Sequence, residues 1–155
     1  MADKVHSMKR QSSSGGFNWG NEVMRGVDIG GWLVLEPWIT PSIFQAYPLS
    51  DGIVDEYTLN QVLGSQEAHD NVLVPHWNSW YTQTDFQNIA NAGFNMVRIP
   101  IGFWAYNNTG TPYSMGAADY MDDAIGWART VGLKVIVDLR KCSTFPCIYA
   151  NTNTA

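Results

Sequence analysis

The sequence predicts an α/β fold built on a parallel sheet, and three observations carry that reading. Short apolar runs at 27–29, 95–101 and 134–139 have strand character, and the second and third are almost continuously apolar, as expected of strands covered on both faces. Stretches with helical spacing separate them. The helical stretches before the second and third strands end in glycine, Gly93 and Gly132. The resulting order of strand, helix, strand, helix, strand is the rhythm of βαβ units.

Each element has a local justification. Residues 1–16 are rich in Ser and Gly and predict a disordered lead-in. The first strand, 27–29, is followed by Gly30-Gly31, which permits a sharp turn. Residues 32–38 continue as a strand end or loop towards Pro37 and Pro41. The polar stretch 50–76 contains one helical pattern, 54–63, with Val54, Tyr57, Leu59, Val62 and Leu63 on its apolar side, and otherwise has the character of decoration. The next helix begins near Thr82 or Thr84, because Thr82 with Asp85 and Thr84 with Gln87 both fit a capping box. Phe86, Ile89 and Ala90 share its face, and Gly93 suits the position after its end. A helix over 117–131 follows, with Tyr120, Met121, Ala124, Trp127, Ala128 and Val131 at three- and four-residue steps.

Composition narrows the function. A chain of 155 residues, 45% hydrophobic, is long enough for one compact domain. Seven Trp and seven Tyr can fill a core or pave a carbohydrate site, where the C–H face of a sugar stacks on a ring. The net charge of −5, with no basic cluster beyond Lys9-Arg10, argues against nucleic acid and anionic membrane as partners. No apolar run approaches the roughly 20 residues of a membrane span, and the N-terminal segment lacks the apolar core of a signal peptide. Cys142 and Cys147 sit together near the C-terminus, His6, His69 and His76 are scattered, and no spacing suggests a metal site. Asn107-Asn108-Thr109 is a glycosylation sequon, which matters if the chain enters the secretory pathway. An open doubly wound sheet would share the βαβ rhythm, but Gly30-Gly31 leads into Trp32 rather than a helix N-terminus, which argues against a nucleotide site.

Two ionisable residues stand out, Glu36 at the end of RGVDIGGWLVLE and Arg98 inside NMVRIPIGF. Each is expected close to the end of an apolar strand, where a charge is costly to bury unless it is paired or used. Arg98 is either a plain buried ion pair or a functional charge. Glu36 is either a partly exposed loop carboxylate or a charge that is used, and for neighbouring Trp38 packing is the plain reading. Asp138, near the end of the third strand, is expected to be a structural hydrogen-bonding residue.

Six stretches, RGVDIGGWLVLEPWITPSIF (25–44), DEYTL (55–59), HWNSWYTQTDF (76–86), AGFNMVRIPIGFWAY (92–106), PYSMG (112–116) and IGWARTVGLKVIVDL (125–139), occur in an order and at spacings that point to one family. Over 17–139 the chain resembles the fungal exo-β-1,3-glucanases (glucan 1,3-beta-glucosidases) of glycoside hydrolase family 5. That resemblance implies an N-terminal portion of a (β/α)8 TIM barrel, about three of its eight strands. It also implies retaining hydrolysis of β-1,3-glucan or its oligosaccharides with release of glucose, no metal or organic cofactor, an extracellular or cell-wall location, and a monomer when full length. Glu36 would hydrogen-bond hydroxyls of the innermost glucose, Trp38 would form part of that pocket's wall, and Arg98 would hold the nucleophile ionised and oriented. Such enzymes carry their two catalytic glutamates after the fourth and seventh strands, so no catalytic residue is assigned within this chain. The 155-residue chain is expected to be inactive by itself, the competing class being a non-catalytic carbohydrate-binding protein. Residues 140–155 leave the family pattern, and Arg140-Lys141-Cys142 is consistent with a translated intron donor.

Overall fold

The computed structural model describes residues 21–140, so the lead-in at 1–16, the two cysteines and all of the divergent stretch beyond Arg140 lie outside the described residues. Three strands form one parallel sheet in chain order: β1 (Gly26–Asp28), β2 (Met96–Gly102) and β3 (Lys134–Arg140). Consecutive order suits the wall of a barrel better than a doubly wound sheet, whose strand order reverses at its centre. Val27, Val97 and Val135 are register partners, so Ile29, Ile99 and Ile101 share their face by the two-residue period. The opposite face carries Asp28, Arg98 and Ile136 in one row, and Asp138 beside Pro100.

Six α-helical segments accompany the sheet: α1 (Pro41–Gln45), α2 (Glu56–Leu63), α3 (Ser65–Ala68), α4 (Val74–Trp80), α5 (Gln83–Asn91) and α6 (Ala117–Thr130). Helix α2 starts at a reciprocal cap, in which the Thr58 N–H donates to Asp55 Oδ1 at 2.8 Å and the Asp55 N–H donates to Thr58 Oγ1 at 3.0 Å. Of the two candidate starts for α5, the chain uses Thr82, whose N–H and hydroxyl both donate to Asp85 Oδ2 at 2.8 Å. Helix α6 buries Ala117, Met121, Ala124 and Ala128, and packs on β2, β3 and α5. The core joins Ile29, Trp32, Leu33, Leu59, Leu73 and Trp77 to Phe86 and the helix-facing residues of β2.

One expectation is corrected. Residues 65–76, assigned to decoration, belong to an almost unbroken helical run over 65–80, with π-helical His69–Leu73 between α3 and α4. Pro75 has no N–H to close the ordinary ladder, and the turn before it widens. The buried residues Ala68, Leu73 and Trp77 therefore stand five and four apart, which breaks the spacing by which a helix is recognised.

Candidate functional site

Arg98 is the third of seven residues in β2, earlier in its strand than the sequence suggested. The strand runs on because Ile99 to Gly102 keep pairing with β3. Arg98 lies level with Asp28, the last residue of the shorter β1. Its Nη1 donates to Asp28 Oδ1 at 2.8 Å and its Nη2 to Asp138 Oδ2, while Arg140 Nε donates to that same Asp138 oxygen at 2.8 Å. One guanidinium thus ties three strands together. With 36% of its side chain exposed, Arg98 sits in an open charge network rather than a buried pair. Asp138 is an ion-pair partner as well as a hydrogen-bonding residue.

Glu36 belongs to the turn that follows β1, not to a strand. Gly31 lies at φ +68°, a conformation that side-chain-bearing residues rarely adopt, and this lets the chain double back after the sheet. The Glu36 carbonyl accepts the N–H groups of Ile39 and Thr40, each at 2.8 Å, which closes the turn around Pro37 and Trp38. The Glu36 carboxylate is half-buried and accepts no hydrogen bond among the described residues. Burial raises its pKa, Arg140 lowers it, Asp28 raises it and Arg98 lowers it. Glu36 Oε2 and Asp28 Oδ2 both border Gly30, 3.4 and 3.8 Å from where a Cβ would stand there. Glu36 therefore lies within electrostatic reach of Asp28 and Arg98, with no hydrogen bond or ion pair joining it to either. Trp38, next along the turn, is 74% exposed.

Four side chains to which the sequence reading gave no such role hold this turn in place. His76 Nε2 meets the Gly31 carbonyl at 2.7 Å, and Trp80 Nε1 donates to the Gly30 carbonyl at 3.2 Å, both from α4. Burial lowers the His76 pKa, partly offset by backbone hydrogen bonds at Gly31 and Trp32, and because a carbonyl can only accept, Nε2–H is the donor to Gly31. In the opposite direction, Trp32 Nε1 donates to the Trp77 carbonyl at 2.9 Å. From α2, Glu56 Oε2 accepts the Leu35 N–H at 2.7 Å, one residue before Glu36. The signal for this role was available, because Glu56 lies three and seven residues before Leu59 and Leu63 and so falls on the apolar side of α2.

The arrangement presents an open carboxylate, a nearby guanidinium and an exposed indole at the end of a parallel sheet. A carboxylate can accept hydrogen bonds from neutral hydroxyls, and an indole can stack on a sugar ring. Residues 60–155 match the family described as Cellulase (glycosyl hydrolase family 5). The chain is 50% identical over 139 residues, 89% of its length, to a probable glucan 1,3-beta-glucosidase A of Aspergillus niger. It is also 50% identical over 79% of its length to a glucan 1,3-beta-glucosidase of Blumeria graminis. It spans 33% and 29% of these two relatives, about a third of the length of the curated relatives it matches. The crystal structure of a rutinosidase from Aspergillus niger superposes with a TM-score of 0.69 and 26% identity, covering 79% of this chain and 34% of that one. The three described strands are part of a (β/α)8 barrel, and the chain belongs to glycosyl hydrolase family 5.

Proposed function

We propose that the full-length protein carrying this segment is a glucan 1,3-beta-glucosidase, removing glucose from β-1,3-glucan with retention of configuration. The observation that carries this reading is the half-buried Glu36 carboxylate, without a hydrogen-bond partner among the described residues, beside the Arg98 network and the exposed Trp38. It stands in a segment half identical to glucan 1,3-beta-glucosidases, against 26% for the rutinosidase, which favours the glucan as substrate. Glu36 accepts hydroxyls of the terminal glucose, and Trp38 stacks against its ring or the next one. Arg98, oriented by Asp28 and Asp138, supplies positive charge beside the nucleophile and keeps that carboxylate ionised.

Retaining hydrolysis needs two carboxyl groups roughly 5 Å apart, one as nucleophile and one as acid/base. The segment contributes recognition and electrostatics, while the two glutamates lie on later strands of the barrel. The reaction runs on carboxyl chemistry without metal or organic cofactor, in a monomer acting at the cell wall or outside the cell. The test is hydrolysis of laminarin by the full-length protein, with the anomer of the released glucose followed by NMR. Release of β-glucose supports the reading, and α-glucose or no release overturns it. Passage through the secretory pathway is checked at Asn107, an exposed residue whose Oδ1 accepts the Thr109 N–H at 3.0 Å. Protein purified from a fungal host should carry a glycan there, and an unmodified Asn107 counts against secretion.

A further inference from the structure

Glu56 joins two loops that lie at the same end of the sheet. Its side chain is 5% exposed, at the first position of α2. Oε2 accepts the Leu35 N–H at 2.7 Å, and Oε1 accepts the Trp104 indole N–H at 2.9 Å. Leu35 precedes Glu36 in the turn after β1. Trp104 lies in the short 3-10 turn Phe103–Ala105 that follows β2. The indole is fixed from two further sides. Tyr113 stacks on it with ring centroids 3.9 Å apart, and a Cβ on Gly102 would fall 2.2 Å from its ring, so only glycine at the end of β2 admits it.

A buried carboxylate with two N–H donors and no cation among its hydrogen-bond partners is expensive to keep. A methionine or leucine would fill the same space without that cost. What the carboxylate adds is two directed bonds, one to each loop. We propose that Glu56 is a positioning residue, which fixes the Glu36 turn against the loop after β2 and so sets where the Glu36 carboxylate meets substrate. This rests on the reading of Glu36 as a substrate-binding group.

Glutamine is the informative replacement, because its amide can accept only one of the two N–H groups and turns a donor towards the other. In the full-length protein, Glu56→Gln should lower kcat/KM on a laminarin oligosaccharide about tenfold or more, while Glu67→Gln on exposed α3 should change it by less than about twofold. In a Glu36→Gln background, Glu56→Gln should add less than about twofold, because the group it positions is already disabled. Equal losses in both backgrounds would mark Glu56 as merely structural and overturn the proposal. Amide hydrogen exchange reads the same link without substrate. In Glu56→Gln, or in Trp104→Phe where the carboxylate loses one donor, exchange at Leu35 and Glu36 should accelerate about tenfold or more while β2 stays protected. Unchanged exchange at Leu35 in both variants overturns the clamp, even if the wild-type protein proves not to hydrolyse glucan.

Discussion

β2 and β3 are neighbouring seven-residue strands, MVRIPIG and KVIVDLR, yet they end in different surroundings. Ile99 and Ile101 of β2 are fully buried, whereas their register partners Val137 and Leu139 are 46% and 58% exposed. The residue types hardly differ. β1 pairs with β2 only as far as Arg98, so Ile99 and Ile101 owe their cover to the core cluster packed over them, which Val137 and Leu139 do not join. β3 has a strand on one side among the described residues. A parallel strand carries a continuous apolar run because it expects cover on every side, so burial belongs to the neighbourhood and not to the strand. The relatives are about three times as long, and in a (β/α)8 barrel each strand has two neighbours.

The sharpest test of this contrast is truncation in each strand. Ile99→Ala should cost about 2–5 kcal/mol in denaturant unfolding, and Val137→Ala less than about 1 kcal/mol in the 155-residue chain. In the full-length protein, the Val137→Ala cost should rise towards the Ile99 value, and equal costs in both contexts would break the comparison.

Arg98 is the one charge of β2 and reaches both neighbouring strands. Arg98→Ala in the full-length enzyme should lower kcat/KM by about 3–4 kcal/mol, the size of a lost electrostatic group at a reacting centre. Its effect on stability should stay under about 1 kcal/mol, because the network is partly exposed. A large stability loss with intact turnover would make Arg98 a strut between strands and nothing more.

Glu56 provides a pH signature. Burial pushes its carboxyl up to about 7, while the Leu35 N–H and the Trp104 indole pull it back and Asp55 adds to the rise. In the unfolded chain the proton leaves near 4.5. Between those values the folded state holds a proton that the unfolded state has lost, so stability present below 4.5 falls as pH rises and levels off above 7. The fall should amount to about 3 kcal/mol. Glu56→Gln should flatten most of it, and Glu36→Gln, whose carboxyl is raised in the same direction, should flatten a further part. The smallest effect is expected at Trp38, where Ala should weaken oligosaccharide binding by about 1 kcal/mol, read by calorimetry, and leave stability unchanged.

The strands, α2, α5 and α6 were legible because each is a local pattern: an apolar run, a capping pair or a four-residue stripe. Thr82 with Asp85 needs only four residues to specify a helix start, whereas the Asp55–Thr58 cap was not read and α2 begins two residues later than its apolar spacing suggested. The helical run from Ser65 to Trp80 was not legible, because a single π turn shifts its apolar phase by one residue. Glu36 and Arg98 were legible as unusual charges beside apolar strands, and Trp38 only through the family resemblance. Their arrangement was not, since it runs through Asp28, Asp138 and Arg140 on different strands.

The sequence alone therefore determined the class of fold, the chain order of its strands and the family, because these rest on periodicity and on motifs read along the chain. The tertiary structure decided which carboxylate is open, which guanidinium is shared and which glutamate is locked away beneath the Glu36 turn. Leu35, Glu56 and Trp104 are separated by 21 and 48 residues and meet only when α2 and the two loops pack. A hydrogen bond acts over about 3 Å, so its partners are chosen by the packed fold and not by their distance along the chain.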